Sequence, residues 1–288
     1  MPDFNGLTPR QIHLLRETFV RLADTFLSLQ SDQANQSRYD VLERMLGKLA
    51  CRRFAMDPLP NQFVLSVVVP VFNEVTTISK VIDRLRGCGL PCEIIVVDDG
   101  SSDGTREILK GLQQEEELCV LYRERNQGKG AAVKDGFACA RGDVVVIQDA
   151  DMEYDPRDLP SLLQPILEER ADVVYGSRYL PQSDNVSPWW HRAGNRLISC
   201  LFNFARRKRF SDVETCYKMF RRDVIQRLLP TLRENGFGIE IELSAKLAKL
   251  RDVRFCELPI CYAKRSYKEG KKIGWRDAVW AIWCIVRY

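Results

Sequence analysis

Hydrophobic and polar positions change rhythm twice along the chain. Up to residue 55 apolar residues recur three and four apart, with Leu14, Leu15, Phe19, Leu22, Phe26 and Leu29 at helical spacing. Thr8 is placed to cap this helix, Pro9 suits its first position, and Gln11 completes a capping box. The polar run 31–37 interrupts it, a second helix is predicted from Tyr39 to Phe54, and Pro58 and Pro60 close the segment. The pattern predicts an N-terminal helical extension, residues 1–62, folded as a hairpin against the main domain or a partner.

From Phe63 the rhythm becomes short β-branched runs alternating with amphipathic stretches. LSVVVPV (65–71), EIIVVDD (93–99), CVLYRE (119–124), DVVVIQD (143–149) and DVVYGS (172–177) read as strands, and 75–87, 103–114, 128–140 and 157–169 as the helices between or after them. Runs this uniformly apolar imply a mostly parallel sheet covered by helices on both faces, an α/β fold. Ligands bind such sheets at the carboxyl ends of the strands. The polar clusters fall there: Asn73 and Glu74, Asp98 and Asp99, Asp149 and Asp151, Ser177 and Arg178.

After Arg178 the alternation stops. A proline-containing link (181–188) leads to helices expected over 189–207, 222–229 and 240–250, then an apolar strand, 253–262, and a basic stretch, Lys264–Lys272. The last segment, 274–287, places Trp275, Val279, Ile282, Trp283 and Val286 on one helical face, suited either to the domain core or to a membrane interface.

At 45% hydrophobic and 28% charged residues, the chain is neither disordered nor a disulfide miniprotein. Its net charge of +4 conceals an asymmetry: residues 1–190 carry 21 basic and 29 acidic side chains, whereas 191–288 carry 22 and 10. The basic surplus suits a phosphate or an anionic membrane surface. Nucleic acid is disfavoured, because no aromatics interleave with the cluster Arg206–Arg209. The ten cysteines form no CxxC pair, and with only His13 and His191 no zinc spacing appears. They read as reduced and structural, Cys119 and Cys284 as small hydrophobes within apolar runs, which points to the cytoplasm. No signal peptide opens the chain, and no run approaches the roughly 18 apolar residues of a membrane span.

Among candidate chemistry, QDADME (148–153) is the sharpest feature. Asp149 and Asp151 directly after an apolar strand are costly unless a cation neutralises them, and hard oxygen donors suit Mg²⁺ or Mn²⁺. Glu153 is a candidate third ligand. In VVDDGSSDGT (96–105), Asp98 and Asp99 suit hydrogen bonds to a ribose or a base edge, or simply a well-made strand–helix turn. RNQGKGAA (125–132) lacks the Walker pattern, yet Lys129 between two glycines at a helix start is a candidate anion site. No GxGxxG follows any strand, which counts against a nicotinamide oxidoreductase.

Taken in order, PVFNE, VVDDGSSDGT, NQGKGAA, QDADMEYDP and VYGSR resemble family 2 glycosyltransferases of GT-A fold, in particular the branch of dolichol-phosphate mannosyltransferase and polyprenyl-phosphate glycosyltransferases. The resemblance runs from about Leu65 to Lys272. It implies a catalytic domain over 63–272, with a nucleotide-sugar and metal half (63–178) and an acceptor half (179–272), followed by an amphipathic C-terminal helix, 273–288. By the same resemblance Pro70, Val71, Asn73 and Glu74 line the nucleotide pocket, Asp98 or Asp99 holds the nucleoside, and Lys129 lies near the sugar nucleotide. Asp149 and Asp151, aided by Glu153, hold the metal. Arg178 and Arg192 face the acceptor phosphate or the transferring sugar, Asp212 and Lys218 belong to the acceptor-side block 211–222, and Glu240 and Glu242 border the site. Arg265 and Lys271 or Lys272 meet a phosphate, although lysine stands at 271 where the branch has serine.

The implied activity is inverting, metal-dependent transfer of a hexose from a GDP- or UDP-sugar to a polyprenyl phosphate, at the inner face of a membrane that the chain touches peripherally. Asp212 is the candidate base should the acceptor be a hydroxyl. The alternatives are the same donor chemistry with a soluble sugar, polysaccharide or phosphorylated metabolite, and a non-catalytic nucleotide-sugar-binding protein.

Overall fold

The computed structural model describes residues 6–29, 38–113, 118–185, 189–264 and 275–288. The chain opens with α1 (Pro9–Leu29), α2 (Arg38–Leu46) and α3 (Lys48–Arg53). The capping box at the start of α1 is present: the Thr8 N–H donates to Gln11 Oε1 at 2.8 Å, and the Gln11 N–H to Thr8 Oγ1 at 3.4 Å. The single second helix expected from sequence is two, because Gly47, at φ +81, takes a conformation that breaks the spiral. Ala23, Val41, Leu42 and Cys51 give these helices a small core of their own. Arg16 fastens α1 to the rest, donating to the Phe54 carbonyl (2.7 Å), the Arg157 carbonyl (3.1 Å) and Ser161 Oγ (2.8 Å).

Strands and helices then alternate: β1 (Leu65–Val71), α4 (Ile78–Arg86), β2 (Cys92–Asp98), α5 (Thr105–Leu112), β3 (Leu118–Tyr122), α6 (Lys129–Cys139), β4 (Val144–Ile147), α7 (Leu159–Leu167) and β5 (Val173–Ser177). All seven β1 side chains are buried, as a central strand with both faces covered requires. The chain continues through β6 (Asp184–Asn185), α8 (Trp189–Arg206), β7 (Lys218–Arg221), α9 (Arg222–Leu228), α10 (Ile239–Lys249), β8 (Phe255–Pro259), β9 (Cys261–Tyr262) and α11 (Trp275–Arg287). The main sheet runs β3-β2-β1-β4-β7-β5-β8, every pairing parallel except those of β7, which lies antiparallel between β4 and β5. The crevice above β1 and β4, where the strand order reverses, is the place such sheets bind ligands.

β7 is not expected from sequence, since four residues with charge at both ends carry no strand signature. Its consequence is large. An antiparallel strand starts where its parallel neighbours finish, so Lys218, opposite Tyr175, and the preceding loop 211–217 arrive at the carboxyl ends of β4 and β5. The strand expected over 253–262 also divides: β8 stays in the main sheet, and β9 pairs with β6 in a second, two-stranded sheet. Cys284 is buried as expected, whereas Cys119 is exposed on edge strand β3; none of the ten cysteines is in a disulfide.

α11 packs on α8 and α10 through Ala281, Cys284 and Ile285. The apolar face predicted for it is the outward one, with Val279 58%, Ile282 40%, Trp283 41% and Val286 82% exposed. Leu197, Leu201 and Phe204 of α8 are exposed too, Phe204 at 90%. Among the described residues no helix is long and apolar enough to cross a membrane.

Arg16 is one of several polar links that tie the extension to the domain, beside the Gln164–Asp57 and Arg157–Glu17 contacts. Arg16→Ala is expected to lower stability by about 2–4 kcal/mol in urea denaturation, since three acceptors lose a charged donor, and to speed limited proteolysis of the N-terminal extension. Unchanged cleavage and midpoint would show that the extension is held without Arg16.

Candidate active site

The first two site strands end in a closed hydrogen-bonded turn. Asn73, at φ +52, receives a bond from the Ser102 N–H on its Oδ1 (2.9 Å) and donates its own N–H to Ser101 Oγ (2.9 Å). The Glu74 N–H bonds Thr105 Oγ1, and its carboxylate accepts from Thr77. Pro70 and Val71 are buried within β1. Asp98 is wholly buried, accepts from the Ser101 N–H and pairs with Arg106 at 2.6 Å. Asp99 accepts the N–H groups of Gln127 (3.0 Å) and Gly128 (2.7 Å) and pairs with Arg123 (3.1 Å). Both carboxylates therefore organise loops, and Asp99 fixes the entry to α6.

At that entry four N–H groups have protein partners: Gln127 and Gly128 donate to Asp99, Gly130 to the Gly236 carbonyl, and Ala131 to the carbonyls of Gly128 and Asn235. The glycines serve close approach. A Cβ at Gly128 would lie 2.3 Å from the Asn235 carbonyl oxygen, and one at Gly130 2.6 Å from that of Glu234. This approach brings the start of α10 against the start of α6. Lys129 thereby meets two carboxylates: its Nζ is 2.6 Å from Asp149 Oδ1 and 2.7 Å from Glu240 Oε1. Burial alone would depress this ammonium, but Asp149 and Glu240 outweigh it and hold the lysine charged, well above its ordinary value.

Asp151 is half-buried and accepts the Glu153 N–H at 3.1 Å, while the Glu153 carboxylate accepts the hydroxyl of Tyr262. Glu240 Oε2 is buried without a hydrogen-bond partner. An orphaned carboxylate oxygen beside Asp149, in a set of oxygen donors already gathered around a cation, fits a hard divalent ion. Glu242, two residues along α10, points elsewhere: it accepts the N–H groups of Arg233 and Glu234 and pairs with Lys246. Residues two apart on a helix face opposite ways, so Glu240 meets Lys129 while Glu242 does not.

At the end of β5 Arg178 grips Asp212 through two nitrogens, at 2.7 and 2.8 Å, and adds its backbone N–H at 3.1 Å. Its guanidinium also lies over the rings of Tyr262 (5.1 Å) and Tyr179 (5.5 Å). Asp212, the candidate base in the sequence, is wholly buried and engaged in this fork. Burial pushes the carboxyl of Glu214, which sequence reasoning overlooked, up to about 7, with Arg178 and Lys218 opposing only in part. Nothing in residues 211–222 marks Glu214 over Asp212, because what sets Asp212 apart is the Arg178 fork, which only the fold assembles. Lys218, entirely enclosed, donates to the Thr215 carbonyl and lies 5.0 Å above the Tyr175 ring. Desolvation lowers its ammonium to about 8, although Glu240 and Asp212 pull the other way. Arg192 is exposed near the start of α8. Arg265, Lys271 and Lys272 lie outside the described residues.

Residues 66–229 match the family model described as Glycosyl transferase family 2. The chain belongs to this family. Among curated members, the undecaprenyl-phosphate 4-deoxy-4-formamido-L-arabinose transferase of Edwardsiella ictaluri is 32% identical over 216 residues, which cover 73% of this chain and 63% of that protein. Glycosyltransferase AglJ of Haloferax volcanii is 31% identical over 208 residues, 72% of this chain and 65% of that one. This family 2 chain thus spans less than two thirds of either relative's length. Among solved structures, glucosyl-3-phosphoglycerate synthase from Mycobacterium tuberculosis, in complex with Mn²⁺, UDP and phosphoglyceric acid, has a TM-score of 0.60 at 24% identity over 78% of each chain. That likeness establishes the fold, GT-A.

The raised carboxyl of Glu214 has a stability signature. An ordinary glutamate loses its proton near 4.5, whereas this one holds it to about 7 when folded. Between those values the folded chain binds a proton that the unfolded chain has released, so Glu214 costs stability increasingly as pH rises. Glu214→Gln is therefore expected to be more stable than the parent at pH 8, by about 1–3 kcal/mol, and no different near pH 4. Urea midpoints across that range check it; a constant offset at all pH values would contradict the assignment.

Proposed function

We propose that the chain is an inverting, metal-dependent glycosyltransferase that moves a hexose from a GDP- or UDP-sugar to a polyprenyl phosphate. The observation that carries this reading is the assembly of Asp149, Glu240 and Lys129 at the β4 edge, with the Arg178–Asp212 fork and buried Lys218 beside it. One side of the crevice is built to hold a cation, the other to hold an anion. The names of the curated relatives, undecaprenyl-phosphate transferases among them, support the acceptor class.

Asp149 and Asp151, with Glu240 near them, would hold Mg²⁺ or Mn²⁺, which when bound neutralises the charge gathering on the departing diphosphate. An oxygen of the acceptor phosphate attacks the anomeric carbon from the face opposite the nucleotide; the new C–O bond forms as the bond to the diphosphate oxygen breaks. A phosphate oxygen is already anionic, so no strong base is needed. Arg178, rigid in its fork and between tyrosine rings, supplies a fixed positive charge toward which an acceptor phosphate can be oriented. Lys129 holds Asp149 and Glu240 in register, and Glu153, tied to Tyr262, braces the acidic turn. Asn73, Glu74 and the 98–105 turn form the nucleoside side.

The acceptor's lipid tail places the enzyme at a membrane surface, and its cytoplasmic face is proposed. Leu197, Leu201 and Phe204 recur on the outside of α8, Val279, Ile282, Trp283 and Val286 on the outside of α11, and the two helices are joined by the Arg206 guanidinium on the Ile285 carbonyl at 2.6 Å. Arg206–Arg209 follow directly, suited to anionic headgroups.

Asp151→Asn is expected to reduce transfer from labelled nucleotide sugar by about 10²-fold or more while leaving the melting temperature unchanged. Retained activity would remove the metal assignment. Label appearing in polyprenyl phosphate supports the acceptor; label appearing only in soluble phosphorylated acceptors would replace it. In flotation with anionic vesicles, the double variant Phe204→Ser/Val286→Ser is expected to bind about tenfold more weakly than the parent. Equal flotation would separate these helices from the membrane.

A further inference from the structure

Three buried side chains that take no part in the proposed transfer meet where the N-terminal extension touches the domain. His13 comes from α1, Asp158 from the 3₁₀ turn Pro156–Asp158, and Cys261 from β9, with 3%, 2% and 6% exposure. Their ligand atoms all lie within 4.8 Å of one another, and among the described residues no other trio of His, Cys, Asp or Glu is gathered so closely.

His13 is the informative member. Its Nε2 lies 2.9 Å from Asp158 Oδ1, an ion-pair contact, but neither ring nitrogen has an aligned hydrogen-bond partner. A buried imidazole ordinarily bonds through at least one nitrogen. Close approach without alignment is the relation between neighbouring ligands of one ion: their donor atoms sit roughly 3.3 Å apart around a tetrahedral centre and aim at the centre rather than at each other. The other oxygen of Asp158 accepts the Cys261 N–H at 2.8 Å, which orients the carboxylate and keeps the cysteine alongside.

We propose that His13, Asp158 and Cys261 form a zinc site that staples α1 to the β9 strand and, through the neighbouring Tyr262, steadies Glu153 in the acidic turn. Mixed nitrogen, oxygen and sulfur donors select Zn²⁺ over Mg²⁺ or Ca²⁺. On binding, the thiol releases its proton to solvent, and one carboxylate and one thiolate balance the divalent charge, leaving the buried site neutral. Cys261 also lines a cavity of about 240 Å³, together with Arg10, Arg84, Glu153 and Tyr262, from which a water would complete the coordination. The site is separate from the Asp149/Asp151 edge and does not depend on the transferase reading.

The test is metal content and cobalt spectroscopy on the whole chain. After zinc loading and passage over a weak chelator, one equivalent of zinc per chain is expected to remain. Replacement by Co²⁺ should produce a thiolate-to-cobalt charge-transfer band. That band should vanish in Cys261→Ser and persist in Cys216→Ser and Asp151→Asn, and His13→Gln should weaken zinc binding by about 100-fold or more. The parent's own cobalt spectrum and zinc-induced rise in melting temperature keep the test valid if a variant fails to fold. Zinc stripped completely from the parent, a cobalt spectrum lacking the thiolate band, or a band surviving in Cys261→Ser would each overturn the proposal.

Discussion

Charge buried at the carboxyl edge of the sheet is the constraint on which the rest of this structure depends. Carboxylates and cations withdrawn from water are costly unless each meets its opposite with good geometry. Here Lys129 lies between Asp149 and Glu240, and Arg178 forks onto Asp212. Lys218, with less compensation, gives up part of its hold on a proton. Breaking one pairing would strand a charge in a poorly solvated crevice, so the loops that carry these residues are held in place by electrostatics as much as by packing.

Topology makes the pairing possible. Parallel strands deliver Asp98, Asp99 and Asp149 to one edge by themselves, but the partners come from the second half of the chain. The reversed strand β7 brings Asp212, Glu214 and Lys218 to the ends of β4 and β5. Glycines at 128 and 130 let the backbone of 234–236 approach closely enough for Glu240 to reach Lys129. Two different devices, a strand reversal and a close backbone approach, thus supply the charges that the parallel strands lack.

Much of this was legible in the sequence, and the misses have physical causes. The five β-branched runs, the helices between them and the capping box of α1 are local patterns, so periodicity and composition reveal them. The roles of Asp98, Asp99 and Lys129 depend on what lies opposite in space. A strand-end aspartate reads alike whether it faces a ribose or two backbone N–H groups. β7 is too short and too charged to register as a strand, and Glu214 differs from Asp212 only in its surroundings. His13, Asp158 and Cys261 are far apart in the chain, beyond any motif based on spacing. The apolar stripe of α11 was visible, but which side it turns to solvent was set by the smaller residues Ala281 and Cys284 fitting against the domain.

The account rests on cation binding at the Asp149/Asp151 edge, and anomalous diffraction tests it most directly. Crystals soaked with manganese and a nucleoside diphosphate should show an anomalous peak at the manganese edge beside the carboxylates of Asp149 and Asp151, with the diphosphate in contact. A diphosphate bound elsewhere, or a manganese peak remote from both aspartates, would contradict it.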